Sequence, residues 1–209
     1  MLVEKSVDNF ALIRWLDEAM AGHKGFIAGG CFKNLFCREK VKDIDVFFEN
    51  QQDFITGVQH FCNEDEDFIE WYENDNVRAF KWVKKDVVIE LNRKIYGSPE
   101  EILNQFDFTI AKCAYFKKEV PDEDNPIDGE THIEYELLMH EDFFEHLHMK
   151  RLVIDDAIPF PMSTLERMFR YAKYGYFPCR ETKLKIARAI NELEPQQISV
   201  SNVLYEGMD

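Results

Sequence analysis

The sequence predicts a mixed α/β (α+β) chain, a sheet flanked by helices with a small helical C-terminal part. Three observations carry this. Stretches with a two-residue alternation, suited to strands, crowd between residues 25 and 138. Stretches with a period near 3.6 are interleaved with them. Beyond residue 140 the helical period takes over. A sheet-bearing domain over residues 1–150 is therefore expected, with a helical region over residues 151–209. Ile158-Pro159-Phe160-Pro161 connects them.

The elements follow in order. Ser6 opens a helical pattern with apolar residues at Val7, Phe10, Ala11, Ile13, Trp15, Leu16 and Met20, and Gly22 ends it. Residues 25–28 form a short apolar run that meets Gly29-Gly30, a strand running into a tight turn. A short helix over 31–36 follows. Residues 43–48, Asp-Ile-Asp-Val-Phe-Phe, alternate as a strand does. Residues 51–62 read as a helix. Strands are expected at 77–83 and 87–92, with Lys84-Lys85-Asp86 as the hairpin turn. Ser98-Pro99-Glu100-Glu101 is a helix start, with Ser98 as N-cap, Pro99 at the first helical position and Glu101 completing a capping box. A strand over 108–116, a polar loop over 120–130 and a strand over 131–138 come next. Helices are expected at 140–149, 163–174 and 180–193.

Bulk properties narrow the function. The chain has 209 residues, 45% of them hydrophobic, including 18 Phe, 8 Tyr and 3 Trp, enough for a real core. It carries 25 basic and 40 acidic residues, a formal net charge of −15. Such a surface does not attract phosphate backbones as a whole, so any nucleic-acid contact needs a local basic patch. Five cysteines occur with no C-x-x-C pair. That pattern fits reduced thiols rather than a disulfide framework or a zinc ribbon. The N-terminus lacks a basic start and an apolar block, and no apolar run approaches the roughly 18 residues needed to span a bilayer. A cytoplasmic protein without a membrane partner is expected.

Chemistry concentrates at Gly29-Gly30 and Asp43-Ile44-Asp45. Residues two apart on a strand face one side, so Asp43 and Asp45 project two carboxylates together. Such like charges repel unless a cation joins them. Mg²⁺ is the usual answer, taking carboxylate oxygens while leaving positions for substrate phosphates. The glycines let backbone N–H groups approach a triphosphate. Lys33 and Lys42 are placed to neutralise remaining phosphate charge. Two-metal phosphoryl transfer often uses a third carboxylate, and Glu90 in the strand Val87-Val-Ile-Glu-Leu-Asn is the candidate. A glycine pair alone is usually a turn, and an Asp-x-Asp strand alone is usually a solvated face. Their combination in a strand–turn–helix context is what points to catalysis.

These residues resemble the polymerase-beta-like nucleotidyltransferase superfamily. The motifs are Phe26-Ile-Ala-Gly-Gly-Cys-Phe-Lys-Asn-Leu-Phe and Lys42-Asp-Ile-Asp-Val-Phe-Phe. The similarity extends to the head and neck of tRNA nucleotidyltransferases and poly(A) polymerases. Phe106-Asp-Phe-Thr-Ile-Ala resembles their Arg-Asp-Phe-Thr-Ile stretch. Thr164-Leu-Glu-Arg-Met-Phe-Arg-Tyr-Ala-Lys-Tyr-Gly-Tyr resembles their neck helix. The resemblance covers residues 25 to about 177 in scattered motifs. It implies that Gly29 and Gly30 hold the triphosphate and that Asp43 and Asp45 bind two Mg²⁺ ions, with Mn²⁺ as a substitute and Glu90 as the candidate third ligand. It implies that Asp107 lies near the nucleotide sugar, and Arg167 or Arg170 near its base or phosphates. The expected reaction moves a nucleoside monophosphate from an NTP, ATP included, to a hydroxyl of RNA, protein or a small molecule. Two departures stand out. Lys33-Asn34 replaces the family's Arg-Asp after the turn, and Phe106 replaces the Arg before Asp107. They argue against CCA addition and for a small phage-type stand-alone transferase. The alternative is a non-catalytic acidic interaction or inhibitor protein on the same fold.

Other residues read more plainly. His140, His146 and His148 suit a solvated helix face. Arg167, Arg170 and Lys173 share one helix face, either charged exterior or a nucleotide or RNA contact. Tyr171, Tyr174 and Tyr176 suit aromatic core packing, and Cys31 is small filler beside the glycines.

Overall fold

Strand pairing organises the chain. A computed structural model describes residues 1–64, 67–121, 131–155 and 158–194. Eight strands form one mixed sheet: β1 (Leu2–Ser6), β2 (Phe26–Ala28), β3 (Asp43–Phe48), β4 (Phe68–Glu73), β5 (Val77–Trp82), β6 (Val87–Tyr96), β7 (Cys113–Pro121) and β8 (Thr131–His140). Their order across the sheet is β1-β8-β7-β2-β3-β6-β5-β4. β3 and β6 pair in parallel, and the other neighbours pair antiparallel. The helices are α1 (Leu16–Met20), α2 (Cys31–Phe36), α3 (Gln51–Asn63), α4 (Pro99–Asn104), α5 (Phe143–His148), α6 (Pro161–Lys173) and α7 (Arg180–Asn191). A small parallel pair, β9 (Arg151–Leu152) and β10 (Phe177–Pro178), joins the last helices.

The alternation of β3 sorts its residues onto two faces. Ile44, Val46 and Phe48 are fully buried, together with Ile89, Leu91 and Phe80 of the neighbouring strands. This is the main core, which α1, α2 and α3 help to cover. Met168, Tyr176 and Ile186 from beyond residue 150 belong to the same cluster as Ile27 and Phe108. On the opposite face a smaller cluster of Phe26, Ala28, Phe47 and Ala114 lies under Ile102 and Leu103 of α4. Ser98 caps α4 with the expected capping box, accepting from Glu101 N–H while Glu101 accepts from Ser98 N–H. Asp43, Asp45 and Phe47 share this second face.

Several expectations need correction. The pattern from Ser6 to Met20 is not one helix. Ser6 ends strand β1, which pairs with Glu136–His140 of β8, and the residues after it form two 3₁₀ turns, Val7–Asn9 and Ala11–Ile13, before the short α1. Ser6 does cap, but only a 3₁₀ turn: its hydroxyl accepts from Asp8 N–H and donates to the Asp8 carboxylate. The strand expected over 108–116 starts at Cys113, because Thr109–Ala111 coil into a 3₁₀ turn. β4 went unrecognised: it is an edge strand whose five residues after the buried Phe68, Ile-Glu-Trp-Tyr-Glu, are all exposed, which hides the alternation. The strand 131–138 extends to His140, so the following helix begins only at Phe143. The expected polar loop at 120–130 falls, from residue 122 onward, outside the described residues.

The histidines also differ from a solvated face. His140 and His146 are buried, and only His148 is exposed. His146 Nδ1 lies 2.8 Å from Thr109 Oγ1, and His140 Nε2 lies 3.1 Å from Asp155 Oδ2. Among the tyrosines Tyr176 is fully buried, while Tyr174 is exposed. All five cysteines are free thiols, and Cys31 is buried as expected. No described helix is long and apolar enough to cross a membrane.

Candidate active site

The Gly29-Gly30 turn connects β2 to α2. Gly29 has φ +102°, a region that side chains rarely adopt, and its N–H donates to Cys113 C=O at 2.9 Å. A Cβ there would stand 3.4 Å from the Phe106 ring and 3.5 Å from Asp45 Oδ2. The turn therefore faces the Asp45 carboxylate directly. Gly30 caps α2, and a Cβ on it would lie 3.8 Å from the Tyr171 hydroxyl.

Pairing register brings the acids together. Asp45 is the direct partner of Glu90 across the β3–β6 ladder, and Asp43 sits two residues back on the same face. Asp43, Asp45 and Glu90 thus share one face of the sheet, with Asp45 beside the glycine turn. Asp45 suffers most. Burial, then the Glu90 and Asp43 charges, push its carboxyl up to about 7. Burial also raises Asp43, against the pull of Lys42 and Lys81, and raises Glu90. Lys42 is exposed and close enough to act on Asp43.

Glu90 has a neighbour that the sequence did not reveal. The Tyr72 hydroxyl on β4 donates a hydrogen bond to Glu90 Oε1. Nothing in the spacing of residues 68–73 marks Tyr72, because its placement depends on pairing through β5. The donor set is all oxygen and anionic, which fits Mg²⁺ in kind. Among the described residues, no three His, Cys, Asp or Glu side chains are gathered closely enough to hold a metal ion.

The other expected site residues lie farther from the carboxylates on the strands. Lys33 is buried, its ammonium bonding Asn34 and lying 3.3 Å from Glu39, with the Tyr174 and Tyr176 rings about it. Those partners occupy it as a packing residue. Asp107 is buried, and both of its oxygens are engaged. Oδ1 accepts from Phe108 N–H at 2.8 Å, while Oδ2 accepts from Thr164 Oγ1 and Arg167 Nη2, each at 2.9 Å. It pins α6 to the sheet. Arg167 is half-buried, and its Nε lacks a partner among the described residues. Arg170 is exposed on α6. Tyr171 links the two groups: burial first, then the Asp107 charge, push its phenol up to about 12, with Asp45 also contributing.

A mixed sheet with a glycine turn, an Asp-x-Asp strand and an acid on the parallel neighbour has the nucleotidyltransferase fold. Solved structures agree. A tRNA nucleotidyltransferase complexed with a primer tRNA and an ATP analogue superposes with TM-score 0.53 at 17% identity, over 92% of this chain and 55% of that one. The Thermotoga maritima CCA-adding enzyme complexed with tRNA gives 0.58 at 14% identity, over 92% and 47%. A CCA-adding enzyme with CTP gives 0.57 at 15% identity, over 96% and 49%.

The family itself is set by sequence. The model of the Gabija anti-defense 2 family matches residues 5–150, and the chain belongs to that family. It is 24% identical over 163 residues to Gabija anti-defense 2 of Bacillus phage SPbetaL7, covering 77% of this chain and 36% of that protein. The chain thus spans about a third of that relative's length. The relative's source agrees with the expectation of a phage-type protein.

Proposed function

We propose that this chain is a metal-dependent nucleotidyltransferase that acts against the defence for which its family is named. The observation that carries this is Asp43, Asp45 and Glu90 on one face of the sheet, with the Asp45 carboxylate facing Gly29. Asp43, Asp45 and Glu90 would hold Mg²⁺, or Mn²⁺ in its place. When bound, the metal supplies acidity to an attacking hydroxyl and charge to the leaving pyrophosphate. The chain supplies the rest. The Gly29-Gly30 turn, which puts no side chain beside Asp45, would lie against phosphates carried by the metal. Lys42 offsets their charge at the rim. Arg167 Nε, buried and without a partner among the described residues, would donate to the nucleotide on the side of Gly30 and Tyr171.

The surface favours a polyanionic acceptor, so RNA is proposed over protein. Residues 150–191 hold nine Lys or Arg against four Asp or Glu, within a chain of net charge −15. Arg151, Arg170, Lys173, Arg180, Lys183 and Arg188 are exposed, and the Phe169, Tyr174 and Phe177 rings stand exposed among them. Basic side chains with exposed aromatics suit a single strand. Incubation with labelled NTPs, Mg²⁺, total RNA and total protein should label RNA. The variant carrying Asp43→Asn and Asp45→Asn should label nothing. Undiminished labelling by that variant overturns the proposal.

A second reading, a non-catalytic acidic inhibitor on the same fold, is favoured by Lys33 and Asp107 being committed to packing. Calorimetric titration with each NTP and Mg²⁺ separates the two: the inhibitor reading requires that no nucleotide binds.

A further inference from the structure

We propose that Tyr72 is a positioning residue that latches Glu90 away from Asp43 and Asp45, so that metal loading requires the latch to open. This rests on the metal-site part of the reading above. The placement is specific. Across the sheet, Tyr72 pairs with Ala79, Ala79 with Glu90, and Glu90 with Asp45, one row on one face. The pairing of β4 with β5 shifts between Glu70 and Tyr72, leaving Trp71 as an extra residue. Without that irregularity Trp71 would oppose Ala79 and Tyr72 would point to the other face. Bulges beside sites re-aim side chains in this way.

Ala79 is fully buried, and its methyl group leaves the Tyr72 ring room to reach over β5 to Glu90 Oε1. The phenol lies close enough to feel all three carboxylates, Glu90 most strongly and then Asp43 and Asp45. Its hydroxyl hydrogen therefore does part of what a cation would do, giving one of three crowded acids a positive partner. A cation drawing Glu90 toward Asp45 competes with that bond for the Glu90 carboxylate. Tyr72 lies on an edge strand and is 38% exposed, so the ring is free to yield.

Mn²⁺ binding without nucleotide, followed by electron paramagnetic resonance at pH 8, tests the latch. Tyr72→Phe keeps the ring and removes the hydroxyl. It should bind Mn²⁺ about tenfold more tightly than the wild type, the scale of one hydrogen bond to a charged group. The gain should vanish in Tyr72→Phe combined with Glu90→Gln. Equal or weaker binding by Tyr72→Phe, or a gain that survives Glu90→Gln, overturns the latch. In the wild-type protein, saturating Mg²⁺ should also move the Tyr72 ¹³Cζ resonance toward that of a solvated tyrosine, and an unmoved resonance overturns the latch independently of any variant. The latch and the transferase reading fail separately. Tighter Mn²⁺ binding with no turnover sinks only the transferase, and turnover with unchanged Mn²⁺ binding sinks only the latch.

Discussion

Replacing Asp45 with Asn should stabilise the protein at alkaline pH, because Asp45 is ionised there at a folding cost. Its carboxyl stands at about 7 in the fold against 3.8 in the unfolded chain, mainly through burial and then through Glu90 and Asp43. Three pH units at about 1.36 kcal/mol each give about 4 kcal/mol. The sign follows from proton binding. Between pH 4 and 7 the folded state keeps a proton that the unfolded chain has released, so stability falls as pH rises through that window. Above pH 7 the penalty is fully present. Asn is nearly isosteric and cannot ionise, so it removes the penalty. At pH 8 Asp45→Asn should raise Tm by roughly 8–16 °C, taking about 2–4 °C per kcal/mol for a chain of this size. At pH 5 the remaining gain is about 1.6 kcal/mol, from the 1.2 units still separating pH 5 from 3.8. Melting curves across this range provide the assay. A variant no more stable than the wild type at pH 8, or a gap that stays constant down to pH 5, refutes the reasoning.

Other perturbations test the surrounding frame. Gly29→Ala places a Cβ at φ +102° against the Phe106 ring and Asp45, and should cost about 1–2 kcal/mol in urea unfolding. Asp107→Ala releases Thr164, Phe108 N–H and the Arg167 charge together; it should cost about 3 kcal/mol and speed amide exchange in α6 before that of β3. Ile44→Ala, between the two aspartates but on the core face, should cost about 2–5 kcal/mol without altering Mn²⁺ binding beyond the loss of folded protein.

The helix start at Ser98, the strand Asp43–Phe48 and the glycine turn were all readable in sequence, because each rests on contacts within a few residues. A capping box closes over three positions, an alternation faces its residues by geometry alone, and Gly29 is needed wherever φ turns positive. The carboxylate pair Asp43 and Asp45 follows from the same period. Glu90 was identified from its apolar neighbours, but its place opposite Asp45 depends on the parallel register of β3 and β6. Tertiary structure decided what local spacing cannot carry. The segment with a helical period from Ser6 broke into two 3₁₀ turns and the short α1, after Leu2–Ser6 had paired with β8. His140 and His146 were buried by partners at Asp155 and Thr109. Lys33 and Asp107, both candidates for nucleotide contact, were taken by ion pairs with Glu39 and Arg167, residues distant or inconspicuous in the chain. Tyr72 entered the site only through a bulge on an edge strand two ladders away. Local periodicity fixes which way a side chain faces along its own segment. Which residue then meets it is settled by strand order and register, and those are properties of the assembled sheet.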